Sequence, residues 1–349
     1  MLEDSSNSNV KIWPKEKKMI EQSMNQYGFN IIEVQKVRSA YKVICEEGTY
    51  CLKRMKSGRY KVKNGFILVE ELNKIGFEKV ANYIKTKEGY NYVKYSKYIL
   101  YLTEWIDGKE CSINNTIEAA ECALLLAEFH NAVEKIDISN LKIKNNLKNW
   151  PKVFLGNLYD LEYYKRIIER KRLINEFDKT YIKYIDILYQ RGMLSLNILQ
   201  NSEYYSISKK AENNKTLCHD SFYYQNILKT EDSYYIIDLD SIIIDLEVND
   251  LGKYIRRIMH KSDFKWDFNK AKSIIESYVE ERPLTREELE IMLALIIFPH
   301  KFWKLGKKRY VKHKNYSEIK YMKKLDKIIQ YIDIQELFIN DYLEYIDSI

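Results

Sequence analysis

The pattern of hydrophobic and polar positions in the first hundred residues predicts one lobe. Pro14–Tyr27 is a charged helical stretch, and the segments after it alternate between apolar and polar residues, as strands do. The predicted strands are Ile31–Val37, Tyr41–Cys45, Tyr50–Lys53, Tyr92–Tyr95 and Tyr98–Thr103, with an inserted helix at Asn64–Ile75. We therefore expect a small antiparallel β-sheet lobe with one helix over residues 1–103, of which 1–10 should be disordered.

The pattern changes to helical periodicity after residue 104. Ala119–Glu134 carries one apolar stripe, and residues 141–201 are helical in pattern. Asp250–Gly252 opens a further helix, with Asp250 as the predicted N-cap. Residues 104–349 should thus form a larger, mostly helical lobe, and the fold class is α+β.

Composition limits the possible classes of protein. The length of 349 residues favours two lobes, and the net charge of +7 suits acidic partners such as nucleotides. No nucleic-acid-binding motif is present, which argues against a nucleic-acid partner. The five cysteines are scattered, the N-terminus is acidic and polar, and Met292–Phe298 is the longest apolar run. These features predict cytoplasmic synthesis without a signal peptide, and no membrane span.

Most of the candidate chemistry lies in two neighbouring segments, Leu217–Leu228 and Tyr234–Ser241. A loop containing His219 ends at Asn226, and a predicted hairpin then leads to Asp238. This arrangement brings the oxygens of Asn226 and Asp238 together, as a Mg²⁺ site requires. Asp and Asn are also common turn residues, so the stretch alone leaves the question open. Its spacing is similar to the metal-binding segments of kinases.

The first lobe offers further residues of the same kind. Lys53 ends the third predicted strand, where kinases place a lysine that contacts the α- and β-phosphates and pairs with a helix glutamate. Spacing slightly favours Glu70 as that partner, whereas Glu71 shares the apolar face of the helix. Glu104, Trp105 and Ile106 follow the fifth strand, where a kinase hinge meets adenine.

One expected feature is missing from the predicted lobe. Glycines between the first two strands would let backbone amides approach phosphates, but Gln35–Ala40 contains none. This absence argues against a protein kinase, and it argues less strongly against a kinase-like fold.

A second stretch, Pro299–Lys304, is both basic and aromatic. A solvated helix face is the favoured interpretation, and the alternative is the lining of a site for an acidic substrate or partner.

These motifs resemble the aminoglycoside phosphotransferase and choline kinase superfamily, and within it the CotS-type spore coat proteins. The phrases that carry the resemblance are Tyr50–Lys53, Tyr101–Trp105, Leu217–Leu228 and Pro299–Lys304. The resemblance implies a two-lobed protein kinase-like fold, ATP and Mg²⁺ as cofactors, and a place in the spore coat among other coat proteins. It supplies no acceptor substrate.

The loop departs from the superfamily pattern, in which the base lies five residues before the asparagine. Ser221 occupies that position here, and Asp220 lies six before Asn226. Either Ser221 replaces the base, or the backbone bulges and Asp220 serves. We favour Ser221 at the base position because it needs no insertion. The expected function is Mg-ATP binding with γ-phosphoryl transfer to a hydroxyl or amine, and the alternative is a pseudokinase that acts as a structural coat component.

Overall fold

The computed structural model describes residues 12–349, which pack as two compact units. Unit 1 comprises the described chain up to Cys111 and two later segments, Lys135–Lys144 and Tyr224–Ile242. Unit 2 comprises Ser112–Glu134, Asn145–Tyr223 and Ile243–Ile349. The expected disorder of residues 1–10 lies outside the described residues, and the boundary after Thr103 stays a prediction.

Unit 1 is built on a six-stranded sheet. Its strands are β1 (Ile31–Val37), β2 (Ala40–Cys45), β3 (Gly48–Met55), β4 (Tyr83–Ile84), β5 (Val93–Tyr95) and β6 (Tyr98–Glu104). They are ordered β1-β2-β3-β6-β4, with β5 also paired to β6. All the pairings are antiparallel, as the short connections between successive strands allow.

Two helices of unit 1, α1 (Pro14–Tyr27) and α2 (Arg59–Lys74), contribute to two apolar clusters of that unit. Alternate residues of β2 are buried, and Tyr41 and Val43 share a cluster with Met24 of α1. Phe66 of α2 packs in a second cluster with Tyr101 of β6. The period-two pattern of the strands and the apolar stripes of the helices therefore create the core together.

A second, three-stranded sheet completes unit 1. Its strands are β7 (Lys109–Glu110), β10 (Ile227–Lys229) and β11 (Tyr234–Ile236), with β10 in the centre. Ile227 lies opposite Ile236, and Lys229 lies opposite Tyr234. The predicted hairpin between Asn226 and Asp238 is therefore present, with a polar turn at residues 230–233.

Unit 2 is mostly helical. Its helices are α3 (Thr116–Glu134), α4 (Trp150–Glu169), α5 (Glu176–Asn201), α6 (Tyr204–Asn214), α7 (Val248–Ile258), α8 (Phe268–Glu281), α9 (Arg286–Ile297), α10 (His300–Gly306), α11 (Glu318–Ile329) and α12 (Ile332–Asp347). The main helix contacts join α3 to α8, α7 to α9, and α5 to both α4 and α9. A π-helical turn, Lys307–Val311, follows α10.

The short strands of unit 2 lead into the loop that the sequence singled out. β9 (Leu217–Cys218) pairs antiparallel with β12 (Ile243–Ile244), and β8 (Lys144–Asn145) precedes α4 along the chain. The residue after β9 is His219. Strand pairing therefore fixes the point at which the loop begins.

The prediction that Asp250 caps a helix is wrong. Helix α7 begins two residues earlier, at Val248, with Glu247 at the N-cap position. Asp250 lies inside the first turn, and its carboxylate accepts hydrogen bonds from the backbone of residues 219 and 220 instead. The residue type suited both places, since an acidic side chain is also favourable in the first turn of a helix.

The structure also bears on the membrane expectation. Within residues 12–349, no helix is both long enough and apolar enough to cross a bilayer.

Candidate functional site

Lys53 and Asp238 form an ion pair in unit 1. Lys53 lies on β3, opposite Ala40 of β2 and Tyr101 of β6, so its position is fixed from both sides. Its Nζ donates to Asp238 Oδ1 at 2.7 Å. Burial disfavours the charged form of Lys53, but the neighbouring charges, chiefly that of Asp238, and the hydrogen bond to Asp238 together outweigh burial and raise the pKa of the ammonium group. Two residues predicted independently from the sequence are thus in direct contact.

The hairpin positions Asn226 at the same end as Asp238. Asn226 is buried and ends a short 3₁₀ turn just before β10. Its carbonyl accepts from the Ile237 N–H at 3.0 Å, one residue beyond the last strand pair. Asp238 follows with φ of 72°, in the left-handed region, where the chain leaves the strand direction. The Asn226 and Asp238 side chains are therefore carried by adjoining ends of one hairpin.

Asp240 is a further acid at this place, to which the sequence reasoning gave no role. Its carboxylate accepts from the Tyr101 hydroxyl at 3.0 Å and from the Ser241 hydroxyl at 3.1 Å. Burial and the neighbouring charge of Asp238 raise the pKa of Asp240. The Asp-x-Asp spacing was visible in the sequence and could have drawn attention to it.

The two candidate glutamates of α2 contact other lysines. Glu70 accepts from Lys85 at 2.6 Å, and Glu71 accepts from Lys74 at 2.5 Å. Helix α2 nevertheless packs against the short 3₁₀ turn Leu239–Ser241, which directly follows Asp238. The structure thus pairs Lys53 with Asp238, and the role of Glu70 stays a prediction.

The predicted adenine-binding segment begins at the end of β6. The Glu104 N–H donates to Asn82 O at 2.8 Å, and the Trp105 N–H donates to Thr49 O at 3.2 Å. Lys42 lies over the Trp105 ring, 4.8 Å from its centroid. Within the described part of the chain, the Ile106 N–H has no hydrogen-bond partner. Of the three predicted residues, Ile106 thus retains a free backbone donor.

An arginine stands in the turn that lacks glycines. Arg38 has φ of 53°, and its guanidinium pairs with Glu110 Oε2 at 2.5 Å. With the Gln225 amide oriented so that its oxygen faces the guanidinium, two further contacts of 3.1 and 3.2 Å form. The Arg38 side chain therefore holds the tip of the β1–β2 hairpin in place. The sequence analysis did not predict this contact because Arg38 and its partners are far apart in the sequence.

In unit 2, Asp250 shapes the loop after β9. Its carboxylate accepts from the His219 N–H at 2.6 Å and from the Asp220 N–H at 2.8 Å. The ring of His130 lies 3.4 Å away through Nε2 and contacts the Tyr278 hydroxyl through Nδ1 at 2.7 Å. Burial acts to raise the pKa of Asp250, but the His130 hydrogen bond and charge lower it below its usual value. His130 is fully buried within α3, where its two ring nitrogens belong to this hydrogen-bond network.

Asp220 and Ser221, the two candidate bases, have different surroundings. Asp220 has φ of 63°, and its carboxylate pairs with Lys253 of α7 at 2.5 Å. The Ser221 N–H donates to Nδ1 of His219 at 3.2 Å. Because Asp220 is already held by a cation, its carboxylate is occupied in this structure. Which of the two residues positions an acceptor stays a prediction.

Three buried residues of unit 2, His130, Cys218 and Asp250, lie close enough to suggest a metal site. Each already has partners, however. The Cys218 thiol contacts the carbonyls of Asp245 and Leu246, and burial raises its pKa far above the usual value. These contacts, with those of His130 and Asp250, make the cluster part of the hydrogen-bond network that holds the loop.

Comparison with known proteins identifies the family. The family described as "Spore coat putative kinase YutH" matches residues 19–342. The chain belongs to this spore coat kinase family. Spore coat protein S of Bacillus subtilis (strain 168) is 23% identical over 332 residues, which cover 93% of this chain and 94% of that protein. The resemblance to CotS-type spore coat proteins is thereby confirmed.

Solved structures show the same fold. An aminoglycoside phosphotransferase from Alicyclobacillus acidocaldarius subsp. acidocaldarius DSM 446 has a TM-score of 0.83 at 18% identity and 99% coverage of both chains. An amicoumacin kinase in complex with AMP-PNP, Ca²⁺ and Ami has a TM-score of 0.63 at 14% identity, over 91% of this chain and 93% of that one. The predicted two-lobed, kinase-like α+β fold of this spore coat kinase family member is confirmed.

Proposed function

We propose that this protein binds Mg-ATP and transfers its γ-phosphoryl group to a hydroxyl or amine acceptor. The observation that supports the proposal best is the Lys53–Asp238 ion pair at the end of the hairpin that carries Asn226. An ammonium group, a carboxylate and an amide oxygen are the groups that kinases use for phosphates and metal. Here the ammonium group and the carboxylate are in contact, although Lys53 and Asp238 are 185 residues apart in the sequence, and Asn226 lies at the adjoining end of the hairpin.

The groups present fit a nucleotide and a hard divalent cation. Asn226 and Asp238 offer oxygen ligands of the kind that Mg²⁺ prefers, while Lys53 suits the α- and β-phosphates. In this structure the Lys53 ammonium neutralises the Asp238 carboxylate, as a bound cation also would. Glu70 is the proposed partner of Lys53 when the metal is held. The free N–H of Ile106, next to Glu104 and Trp105, is the proposed donor to the adenine edge.

The loop of unit 2 is the proposed place where the acceptor is positioned. Bound Mg-ATP supplies an activated phosphoryl group whose developing charge the metal neutralises. The chain then has to hold the acceptor hydroxyl or amine in line and take up its proton. Ser221 is the proposed positioning residue at the base position, and Asp220, held by Lys253, is the alternative.

The relatives support both nucleotide binding and a location in the spore coat. The amicoumacin kinase of the same fold is described in complex with AMP-PNP and Ca²⁺, a nucleotide analogue and a divalent cation. The family and spore coat protein S support a location in the spore coat, where other coat proteins are the proposed partners.

Thermal unfolding with and without ligand tests the nucleotide part. At about 100 times its Kd, a ligand specific for the folded state adds ~2.7 kcal/mol to the free energy of unfolding. We expect Mg-ATP to raise the Tm and Asp238→Ala to abolish the Mg²⁺-dependent part of the rise. Asp232→Ala, in the exposed turn of the same hairpin, is the matched control and should behave as wild type. Absence of any Tm shift at millimolar Mg-ATP would rule out the enzyme function.

A second candidate function is a pseudokinase that serves as a structural coat component. Ser221 at the base position and the Gln35–Ala40 turn without glycine favour it. The two functions differ in turnover. A kinase releases ADP, whereas a pseudokinase releases none, whether or not it binds Mg-ATP. Measurement of ADP release with candidate acceptors, at Mg-ATP concentrations that give a full Tm shift, separates them.

A further inference from the structure

Unit 2 contains a cleft whose polar lining is largely basic. It is partly open to solvent, has a cavity volume of about 20 Å³, and lies between α7, α10 and the chain around Trp266. The side chains that matter for its chemistry are Arg256, His260, Trp266, His300 and Lys301. It lies within one unit and contains none of the residues proposed above for nucleotide or metal.

The basic groups of the cleft face one another without a balancing acid. Burial and the charge of Arg257 lower the pKa of Arg256 to about 9. Burial, with the charges of Arg256 and Arg257, lowers the pKa of Lys301 to about 7. Burial, with Lys301 and Arg256, lowers the pKa of His260 to about 2. Within residues 12–349, no carboxylate forms an ion pair with Arg256 or Lys301.

Three ring nitrogens at the same cleft have no hydrogen-bond partner. They are Nδ1 of His260, Nε1 of Trp266 and Nε2 of His300, and each is buried. The Trp266 nitrogen can only donate, and the imidazoles can donate from these nitrogens in the appropriate tautomer. A buried donor without an acceptor costs about 1–3 kcal/mol, so three at one cleft require an explanation.

The backbone near Trp266 is also constrained. Lys265 and Trp266 both lie in the left-handed region, with φ of 47° and 58°, and the Trp266 N–H donates to Met259 O at 3.1 Å. Two consecutive residues in this conformation are costly for side chains larger than that of glycine. The chain thus places the Trp266 indole beside His260, with ring centroids 5.0 Å apart, despite the cost.

We propose that this cleft binds an oxyanion, that is, a phosphate or carboxylate group of a small acidic molecule. Such a group accepts from the Trp266 and histidine nitrogens, and it supplies the negative charge that Arg256 and Lys301 lack. A water molecule satisfies donors but leaves the cations unbalanced, and an apolar ligand does neither. The proposal does not depend on phosphoryl transfer, since no residue of the nucleotide site takes part.

The location gives the site a potential effect on the loop. Arg257, next to Arg256 on α7, donates to Phe222 O at 3.3 Å and lies over the Tyr223 ring, 4.7 Å from its centroid. Lys253, one turn earlier, holds Asp220. An anion bound to Arg256 therefore contacts the helix that also holds Asp220 and Phe222 of the loop.

Calorimetric titration of the full chain tests the proposal, with inorganic phosphate in one arm and malonate in the other. Sodium chloride of equal ionic strength is the reference. We expect saturable one-site binding in at least one arm, and the tighter arm identifies the class of the ligand. Lys301→Gln should weaken binding about tenfold, since a charge-assisted hydrogen bond contributes roughly that factor. Trp266→Phe should weaken it as well.

Two controls locate the signal. Lys323→Gln removes one charge from an exposed position on α11 and should leave the affinity unchanged. Lys53→Met should also leave it unchanged, because the nucleotide site is elsewhere. No saturable binding in either arm overturns the proposal. So does binding that Lys301→Gln and Trp266→Phe leave intact, or binding that Lys53→Met removes.

Discussion

Asp250 illustrates how a single carboxylate sets the conformation of a loop. It is 1% exposed, and its two oxygens accept from the N–H groups of two successive residues, His219 and Asp220. A carboxylate that receives several hydrogen bonds is stabilised in its charged form. Asp250 therefore has a structural role, while the groups proposed for chemistry project from the loop that it holds.

Stability should depend on pH through Asp250. Its pKa is lowered in the folded protein, so its contribution is fully present above the unfolded-state value of about 3.9 and is lost as the pH falls through the folded value. Asp250→Asn should destabilise the protein at pH 7, by about 1–3 kcal/mol, and the difference from wild type should shrink towards pH 3. Urea unfolding at several pH values measures this. A difference that stays constant with pH contradicts the assignment.

The proposed catalytic role of the loop can be tested at Ser221 and Asp220. If Ser221 occupies the base position, Ser221→Asp should raise ATP hydrolysis above the wild-type rate, because a carboxylate is restored where water is oriented. Asp220→Asn should then change turnover little, since Lys253 already holds Asp220. Steady-state ADP release is the measurement. Loss of turnover in Asp220→Asn, with unchanged Mg-ATP affinity, would assign the base to Asp220 instead.

At the level of elements, the hairpin and α7 determine most of the candidate site. The hairpin sets Asn226 and Asp238 at adjoining ends through the pairing of β10 with β11. Helix α7 carries Asp250, Lys253 and Arg257, three and four residues apart, so all three can lie on one face. The hairpin carries the two residues proposed as metal ligands. Helix α7 carries three residues that contact the loop of unit 2.

The end of α10 gives a prediction about packing. A Cβ at Gly306 would lie 2.3 Å from the Tyr181 hydroxyl and 2.6 Å from the Tyr164 ring, and both tyrosines are fully buried. Gly306→Ala should therefore destabilise the protein by about 1–3 kcal/mol. At Gly156, on the exposed face of α4, a Cβ meets nothing within 4 Å, so Gly156→Ala should stabilise it by about 0.5–1 kcal/mol. Denaturant unfolding compares the two, and equal signs would contradict this account.

Sequence patterns predicted the longer elements well and the short ones poorly. The strand at Ile31–Val37 and the helix at Pro14–Tyr27 have the predicted bounds, because both extend far enough to show a period. The strands Tyr83–Ile84 and Lys109–Glu110 were missed, since two residues cannot show alternation. Lys53, Asn226 and Asp238 were singled out by residue type and position, and their roles stay predictions. The pairing of Lys53 with Asp238 and of Glu70 with Lys85 depends on packing that spacing does not encode.

At the scale of the whole molecule, tyrosine side chains make up a large part of the buried core. Among the described residues, nine of the twelve largest fully buried side chains are tyrosines. Several tyrosine rings in the core contact one another, as those of Tyr181 and Tyr310 do. Several of the hydroxyl groups find partners, as Tyr254 does on Ala119 O at 3.0 Å. The richness of 30 tyrosines therefore serves packing in large part.

Oxidative cross-linking provides the corresponding prediction. Tyr60, Tyr90, Tyr159, Tyr163 and Tyr205 are at least half exposed, and they should account for the dityrosine that forms. We expect peroxidase treatment to give the same dityrosine fluorescence per exposed tyrosine as a tyrosine-poor control of similar size. Replacing these five with phenylalanine should remove most of the signal. A yield well above the control would instead indicate that the chain is adapted to cross-linking.

The interleaving of the two units has a consequence during synthesis. Unit 1 needs its last segment, Tyr224–Ile242, to gain β10, β11 and Asp238. A ribosome adding 5–20 residues per second takes roughly 10–40 s to travel the 185 residues from Lys53 to Asp238. During that interval the emerging sheet lacks the acid that neutralises its lysine, while segments of unit 2 emerge before unit 1 is complete. A nascent chain can therefore acquire all the groups proposed for phosphate and metal binding only late in translation.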